Sequence, residues 1–174
     1  NPNTIQYRVI QKLKLKNYDV IFDDDDTGEA ADVVTIKKEK KEINVEFYHC
    51  KFSKEKKPGC RLKDLYEVCG QAQKSIRWME SPTELFNHLF RREPKTKKGK
   101  QASRFEKGTP EKLEIIKRMS RSDLEVNLSI FIVQPGLSKD EVRHDGREHL
   151  ELLGVTENYL METYMLPLKV ITSE

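Results

Sequence analysis

Two β-branched runs joined by a short charged turn constrain this chain more than any other feature. They are Ala31 to Ile36 (ADVVTI) and Ile43 to Lys51 (INVEFYHCK), with KKEKKE between them. Runs rich in Val and Ile favour extended backbone, and a polar turn folds the pair into an antiparallel hairpin. Counting outward from a turn centred between Lys38 and Lys41 sets Asp32 level with Phe47, a diagonal step or two from His49. Alternation along the second run places Val45, Phe47, His49 and Lys51 on one face and Asn44, Glu46, Tyr48 and Cys50 on the other. A His, a Cys and a Lys therefore crowd the end of one strand beside an Asp at the start of its neighbour.

The elements on either side follow from periodicity. Ile5, Val9, Ile10 and Leu13 form a helical stripe within Thr4 to Leu15, with Asn3 or Thr4 placed to cap it. Asp19 to Phe22 is a short apolar burst, stopped by the loop DDDDTGE. After a basic loop, Lys54 to Gly59, the residues Leu62, Leu65, Val68, Cys69, Ala72, Ile76 and Met79 predict an amphipathic helix of about five turns. Pro82 restarts a helix through TELFNHLF, and Arg91 to Lys107 reads as loop, with eight basic residues against two acidic. Glu111 to Met119 is helical. Val126 to Val133 predicts a buried strand, ended by Pro135 and Gly136. Two short helices, Arg147 to Leu153 and Glu157 to Tyr164, and a strand, Leu168 to Thr172, complete the chain.

At 174 residues the length suits one domain, residues 1–174. Charged residues make up 35% and apolar residues 36%, yet the apolar ones fall in periodic blocks, which argues against disorder. The net charge of +3 hides a segregation, because acids gather at Asp23 to Asp26 and in the last third while bases gather in loops. No stretch approaches the roughly eighteen apolar residues of a membrane span and no signal peptide opens the chain, so a cytoplasmic location is expected. Cys50, Cys60 and Cys69 match no zinc spacing and read as reduced structural thiols. A start at Asn1 without Met suits a domain of something longer.

Helix, three strands, helix, strand is the order in which these elements fall, with the other helices inserted before the fourth strand. In that order, and in an Asp at the second strand followed by Lys51 on the third, the chain resembles the PD-(D/E)XK (restriction-endonuclease-like) nuclease superfamily. The resemblance implies an α/β fold with an αβββαβ core (residues 4–79 and 126–134), whose mixed central sheet is flanked by helices. A helical and basic insertion (82–122) would precede the fourth core strand, and a helix and strand extension (138–174) would follow. His49 departs from the pattern, standing where Asp or Glu is expected.

What the resemblance implies for chemistry is metal-dependent hydrolysis of phosphodiesters, with Mg2+ or Mn2+ as cofactor. Asp32 would be the metal carboxylate, joined by the Cys50 backbone carbonyl, by His49, and by Glu29 as a compensating acid, with Asp26 nearby. Lys51 would orient the water or steady developing charge. A Gln on the helix after the signature Lys supports the site in several branches of the superfamily, and Gln71 or Gln73 is its counterpart here, with Gln6 in a similar supporting place. Imidazole suits Mn2+ better than Mg2+, so His49 shifts the metal choice, serves as a base, or marks impaired metal binding.

Three basic stretches, Lys37 to Lys41, Lys51 to Arg61 and Arg91 to Lys107, predict phosphate contacts. The candidates are Lys54, Lys56, Lys57, Arg61, Lys74, Arg91, Arg92, Lys97, Lys98, Lys100 and Arg104. Trp78 and Phe105 could stack on bases, although the place of Trp78 beside the helix stripe favours the core. The reading is a metal-dependent DNA endonuclease domain, a module of a helicase-type restriction or defence protein. DNA, a covalently linked helicase domain and a second copy in a homodimer are its expected partners. The alternative is a catalytically silent nuclease fold that binds DNA or positions another domain, and His49 favours it.

Overall fold

The computed structural model describes residues 3–51, 62–97, 99–122, 124–138 and 146–173. It is α/β, with helices on both faces of a mixed sheet of six strands in the order β6 (Phe105–Lys107), β1 (Val20–Asp23), β2 (Val33–Lys38), β3 (Glu42–Cys50), β7 (Glu125–Ser138) and β8 (Leu168–Ser173). The chain opens with α1 (Ile5–Lys14), whose N-terminus is capped by Thr4 accepting the Tyr7 N–H at 3.2 Å. Then β1 (Val20–Asp23), β2 (Val33–Lys38) and β3 (Glu42–Cys50) form an antiparallel meander. The turn between β2 and β3 is tighter than the sequence count assumed: Glu39 N–H bonds to the Glu42 carbonyl at 2.8 Å, which leaves only Lys40 and Lys41 at the tip. Val33 consequently pairs with Tyr48 and Val34 with Phe47, two residues further along than expected, which brings Asp32 level with His49.

After β3 come α2 (Leu62–Lys74), α3 (Arg77–Glu80), α4 (Pro82–Arg92), the hairpin β4 (Lys95–Lys97) and β5 (Lys100–Ala102), β6 (Phe105–Lys107) and α5 (Pro110–Met119). The chain then returns as β7 (Glu125–Ser138), parallel to β3 and buried along much of its length. It ends with α6 (Arg147–Tyr164) and β8 (Leu168–Ser173), parallel to β7.

Two apolar layers hold the sheet. Ile10 and Leu13 of α1 pack on Ile21, Val33, Tyr48, Phe131 and Val133 on one face. On the other, Val34, Ile36, Val45, Phe47, Ile130 and Ile132 meet Leu65 and Val68 of α2, Leu85 and Leu89 of α4, Leu113 of α5 and Leu160 of α6. The alternation expected along β3 is thus observed: Phe47 belongs to the helix-rich face and Tyr48 to the α1 face.

Four boundaries differ from the sequence reading. The predicted five-turn helix breaks between α2 and α3, where i to i+3 bonds (Ser75 N–H to Ala72, Trp78 N–H to Ser75) tighten the backbone and Ser75 is buried. Arg91 to Lys107 is largely ordered, not loop, because Phe105 packs edge-on against Phe22 with ring centroids 5.0 Å apart and β6 pairs with β1. Strands of three residues are too short to leave a periodic signature. β7 runs through Pro135, which lies at a register irregularity against β8, the position where a sheet tolerates proline. The two tail helices are one, continuous through Gly154, where a side chain would meet only open space.

Gly108 is required where it stands. Its φ is +84°, and a Cβ there would fall 2.5 Å from the Asp19 carbonyl oxygen. It lets the chain leave β6 and enter α5, which Thr109 caps by accepting the Lys112 N–H at 3.2 Å. Among the described residues, no helix is long and apolar enough to cross a membrane.

Candidate functional site

The acidic loop between β1 and β2 is built around a buried ion pair. Asp24 is fully buried, and its carboxylate accepts the Ala30 N–H at 2.7 Å, contacts His88 Nε2 at 3.3 Å and pairs with the guanidinium of Arg92. Arg92 also donates to the carbonyls of Asp24 (2.6 Å), Thr27 (3.0 Å) and Asp26 (3.3 Å). Arg104, 4% exposed, donates to the carbonyls of Arg92 (2.8 Å), Asp23 (3.0 Å) and Asp25 (3.2 Å). Two guanidiniums with rigid donor forks thereby fold an otherwise repulsive Asp run onto the edge of the sheet. Asp23 completes the clasp through Gln6 and Lys95, which places Gln6 on Asp23 and away from the carboxylates below.

This clasp gathers Asp25, Glu29 and Asp32, whose carboxylate oxygens lie within 4.8 Å of one another. Asp32 is anchored where β3 ends, its Oδ2 accepting the Cys50 N–H at 2.7 Å. Burial raises its pKa from 3.8 to about 7; the Cys50 bond opposes the shift and the charges of Glu29 and Asp25 add to it. Asp25 and Glu29 are raised as well, each chiefly by burial. Asp25 is the member that sequence reasoning missed. The Asp run was visible but not which of its acids the loop would turn toward Asp32. Asp26, named beside Glu29 from the sequence, has one carboxylate oxygen on the Thr27 N–H and the other 3.7 Å from Arg104.

His49 does not join the carboxylates. It is 2% exposed, on the helix-rich face, with Nε2 2.8 Å from Ser75 Oγ, and burial pushes its pKa down to about 4. Ser75 has one hydroxyl proton and two carbonyls, Ala30 and Gln71, each 3.4 Å away. The 2.8 Å contact is the shortest that Ser75 Oγ makes, and which of the two groups donates across it follows the imidazole tautomer. His49 Nδ1 is buried and has no hydrogen-bond partner among the described residues. His49 lines a cleft of about 360 Å³ together with Glu29, Gln71, Lys74, Arg77 and Trp78.

Lys51 lies at the same strand end, its backbone N–H on the Val133 carbonyl at 3.0 Å and its ammonium 2.5 Å from Glu67 of α2. Glu67 and Gln71 are four apart on one helix edge, so that edge runs from the Lys51 pair into the cleft. Gln73 lies about 200° around the helix from Gln71 and is not among the residues lining the cleft, so of the two only Gln71 reaches it. Burial raises the Cys50 thiol pKa; Cys50 and Cys69 are free thiols, and Cys60 lies outside the described residues.

The nucleic-acid candidates divide. The guanidiniums of Arg92 and Arg104 are bonded into the acidic loop. Phe105 is partly buried and packs edge-on against Phe22, and Trp78, 7% exposed, is buried as the stripe suggested. Lys74, Arg91 and Lys100 are exposed. Lys97 falls in β4. Lys54, Lys56, Lys57, Arg61 and Lys98 lie outside the described residues. Arg77, at the cleft and 4.3 Å from the Trp78 ring centroid, was not anticipated, because nothing in a lone Arg within a helical stripe marks it. In comparisons with known proteins, no family model, curated protein or solved structure matches the chain.

Proposed function

We propose that the chain is a metal-dependent DNA endonuclease domain of the PD-(D/E)XK type, a module of a larger helicase-type or restriction protein. One observation carries this reading: three carboxylates from one loop converge within 4.8 Å at the end of β3, the strand that Lys51 follows. The order of elements, α1, β1, β2, β3, α2 and then β7 parallel to β3, agrees with it.

The donor set fits a hard divalent cation. All three groups are oxygen donors, as Mg2+ and Mn2+ prefer; burial first and their mutual repulsion second raise Asp32 and Glu29, and a bound cation would relieve both. Bound there, the ion would supply Lewis-acid charge and a water of lowered pKa. Asp25, Glu29 and Asp32 would hold it. Lys51, once released from Glu67, would bring a positive charge to the phosphate, and Gln71 would position groups from the facing helix. His49, engaged by Ser75 and outside the carboxylate group, is assigned no share in this ion.

The test is cleavage of plasmid DNA with Mg2+ and with Mn2+ by the wild type, Asp32→Ala and Lys51→Ala. Cleavage by the wild type alone supports the reading, whereas equal activity in all three proteins removes the site. A second reading, a silent nuclease fold that binds DNA, is favoured by the Lys51 to Glu67 ion pair and by a neutral His49 in place of an acid. Wild-type protein that binds DNA but is inert with both metals would establish it.

A further inference from the structure

The two faces of the sheet are covered unequally. β3, β7 and β8 run parallel to one another, and parallel strands are ordinarily buried on both sides. On the helix-rich face α2, α4, α5 and α6 supply that cover, whereas on the other α1 is the one helix among the described residues that packs on the strands. It lies toward β1 and β6, which leaves a groove of about 410 Å³ between α1 and the strip of sheet formed by β7 and β8. The floor is apolar. Tyr48 and Phe131, stacked with ring centroids 4.5 Å apart, share it with Val133 and with Ile171 of β8, which is 44% exposed.

A row of cations forms one wall. Arg8, Lys12 and Lys16 recur at four-residue steps along α1 and just past its end, and all three are exposed and line the groove. None of them has an ion-pair partner among the described residues, and no acid is among the described residues lining the groove. Lys14, on another side of the same helix, is by contrast neutralised by Glu106 at 2.6 Å. A nucleic-acid backbone would neutralise the row but leave the apolar floor in water. The flank of an amphipathic helix, apolar on one face and acidic along its edge, matches both. Helices packed side by side lie roughly 8–10 Å apart, so a helix laid over β7 and β8 would supply the missing cover and set acids against Arg8 and Lys12. We propose that this groove docks an acidic amphipathic helix of a partner protein, with burial on the floor supplying affinity and the cation row supplying selectivity and orientation. The surface goes beyond the nuclease reading and stands without it.

The probes are two fluorescein-labelled peptides of about five helical turns with Leu along one face, one carrying Glu on both flanks and its twin carrying Lys at the same places. In anisotropy titrations at low salt, wild-type protein should bind the acidic peptide at least about tenfold more tightly than the twin. Reversing the row, with Arg8→Glu and Lys12→Glu together, should move the preference to the twin. Ile171→Ser should weaken the acidic peptide by about fivefold. Should the reversed protein fail to fold, wild-type protein in about 0.5 M salt takes its place, where the preference should fall to about twofold or less. No binding of either peptide, equal binding of the two, or a preference that survives both reversal and salt overturns the proposal. Displacement of the acidic peptide by sodium palmitate or by a paired DNA duplex more readily than by its own unlabelled form also overturns it, giving the groove to an acyl chain or the cations to phosphate.

Discussion

Asp32 Oδ2 accepts the backbone N–H of Cys50 at 2.7 Å, which ties the carboxylate loop to the last residue of β3. That single bond sets a half-buried acid one step from the imidazole of His49, two groups whose burial shifts their pKa values in opposite directions.

The raised pKa of Asp32, about 7 against 3.8, gives stability that is full below pH 3.8 and is lost as pH rises through 7. The lowered pKa of His49, about 4 against 6.5, gives stability that is present above pH 6.5 and is lost as pH falls through 4. Between those values the two slopes oppose, each approaching 1.4 kcal/mol per pH unit when fully developed. Asp32→Asn should therefore steepen the rise of stability from pH 4.5 to 6.5 relative to wild type, and His49→Gln should turn the trend downward. Urea unfolding at several pH values measures both, and parallel curves for all three proteins would refute the assignment.

Arg92 bonds the buried Asp24 and three carbonyls of the acidic loop, so Arg92→Ala strands a charge with His88 as its remaining ionisable partner. A loss of about 3–5 kcal/mol is expected. Arg91→Ala, at a side chain 64% exposed, should stay within about 0.5 kcal/mol. Denaturant midpoints for the two neighbours decide the matter, and equal losses would count against the clasp.

Lys51 and Glu67 separate structure from chemistry. Glu67 is 55% exposed, and an ion pair of this kind contributes at most about 1 kcal/mol, so Glu67→Gln should leave the melting temperature nearly unchanged. On the nuclease reading it should preserve or raise cleavage, while Lys51→Ala should lower it by roughly 100-fold, about 2.7 kcal/mol of barrier. Plasmid nicking rates provide the comparison.

Gln71 lines the cleft and Gln73 does not. Substituting groups that orient a metal site typically costs about 10–100-fold. Gln71→Ala should fall in that range and Gln73→Ala within about twofold, both read as initial cleavage rates in Mn2+. A larger loss at Gln73 would move the supporting residue to the other flank of α2.

How far the sequence reached is best seen at particular elements. The stripe Ile10 and Leu13 and the burial of Phe47 and Tyr48 on opposite faces were readable because local periodicity and burial coincide there. The register of β2 on β3 slipped by two residues because the number of residues held at the turn tip is settled by pairing across the strands, not by local composition. β6 was invisible, since three residues acquire strand geometry only by pairing with β1 and packing Phe105 on Phe22. Arg92 and Arg104 looked like phosphate contacts because composition counts charges without showing what neutralises them.

By itself, then, the sequence determined the succession of helix, three strands, helix and strand, and the alternation that sets His49 and Lys51 apart from Tyr48 and Cys50. Tertiary structure alone decided that Asp25, Glu29 and Asp32 form the carboxylate group, that Glu67 holds Lys51, and that His49 turns to Ser75. The reason is physical: side-chain periodicity is local to each element, whereas a cluster of charges is assembled by loops whose shape depends on distant partners, here two arginines some seventy to eighty residues away.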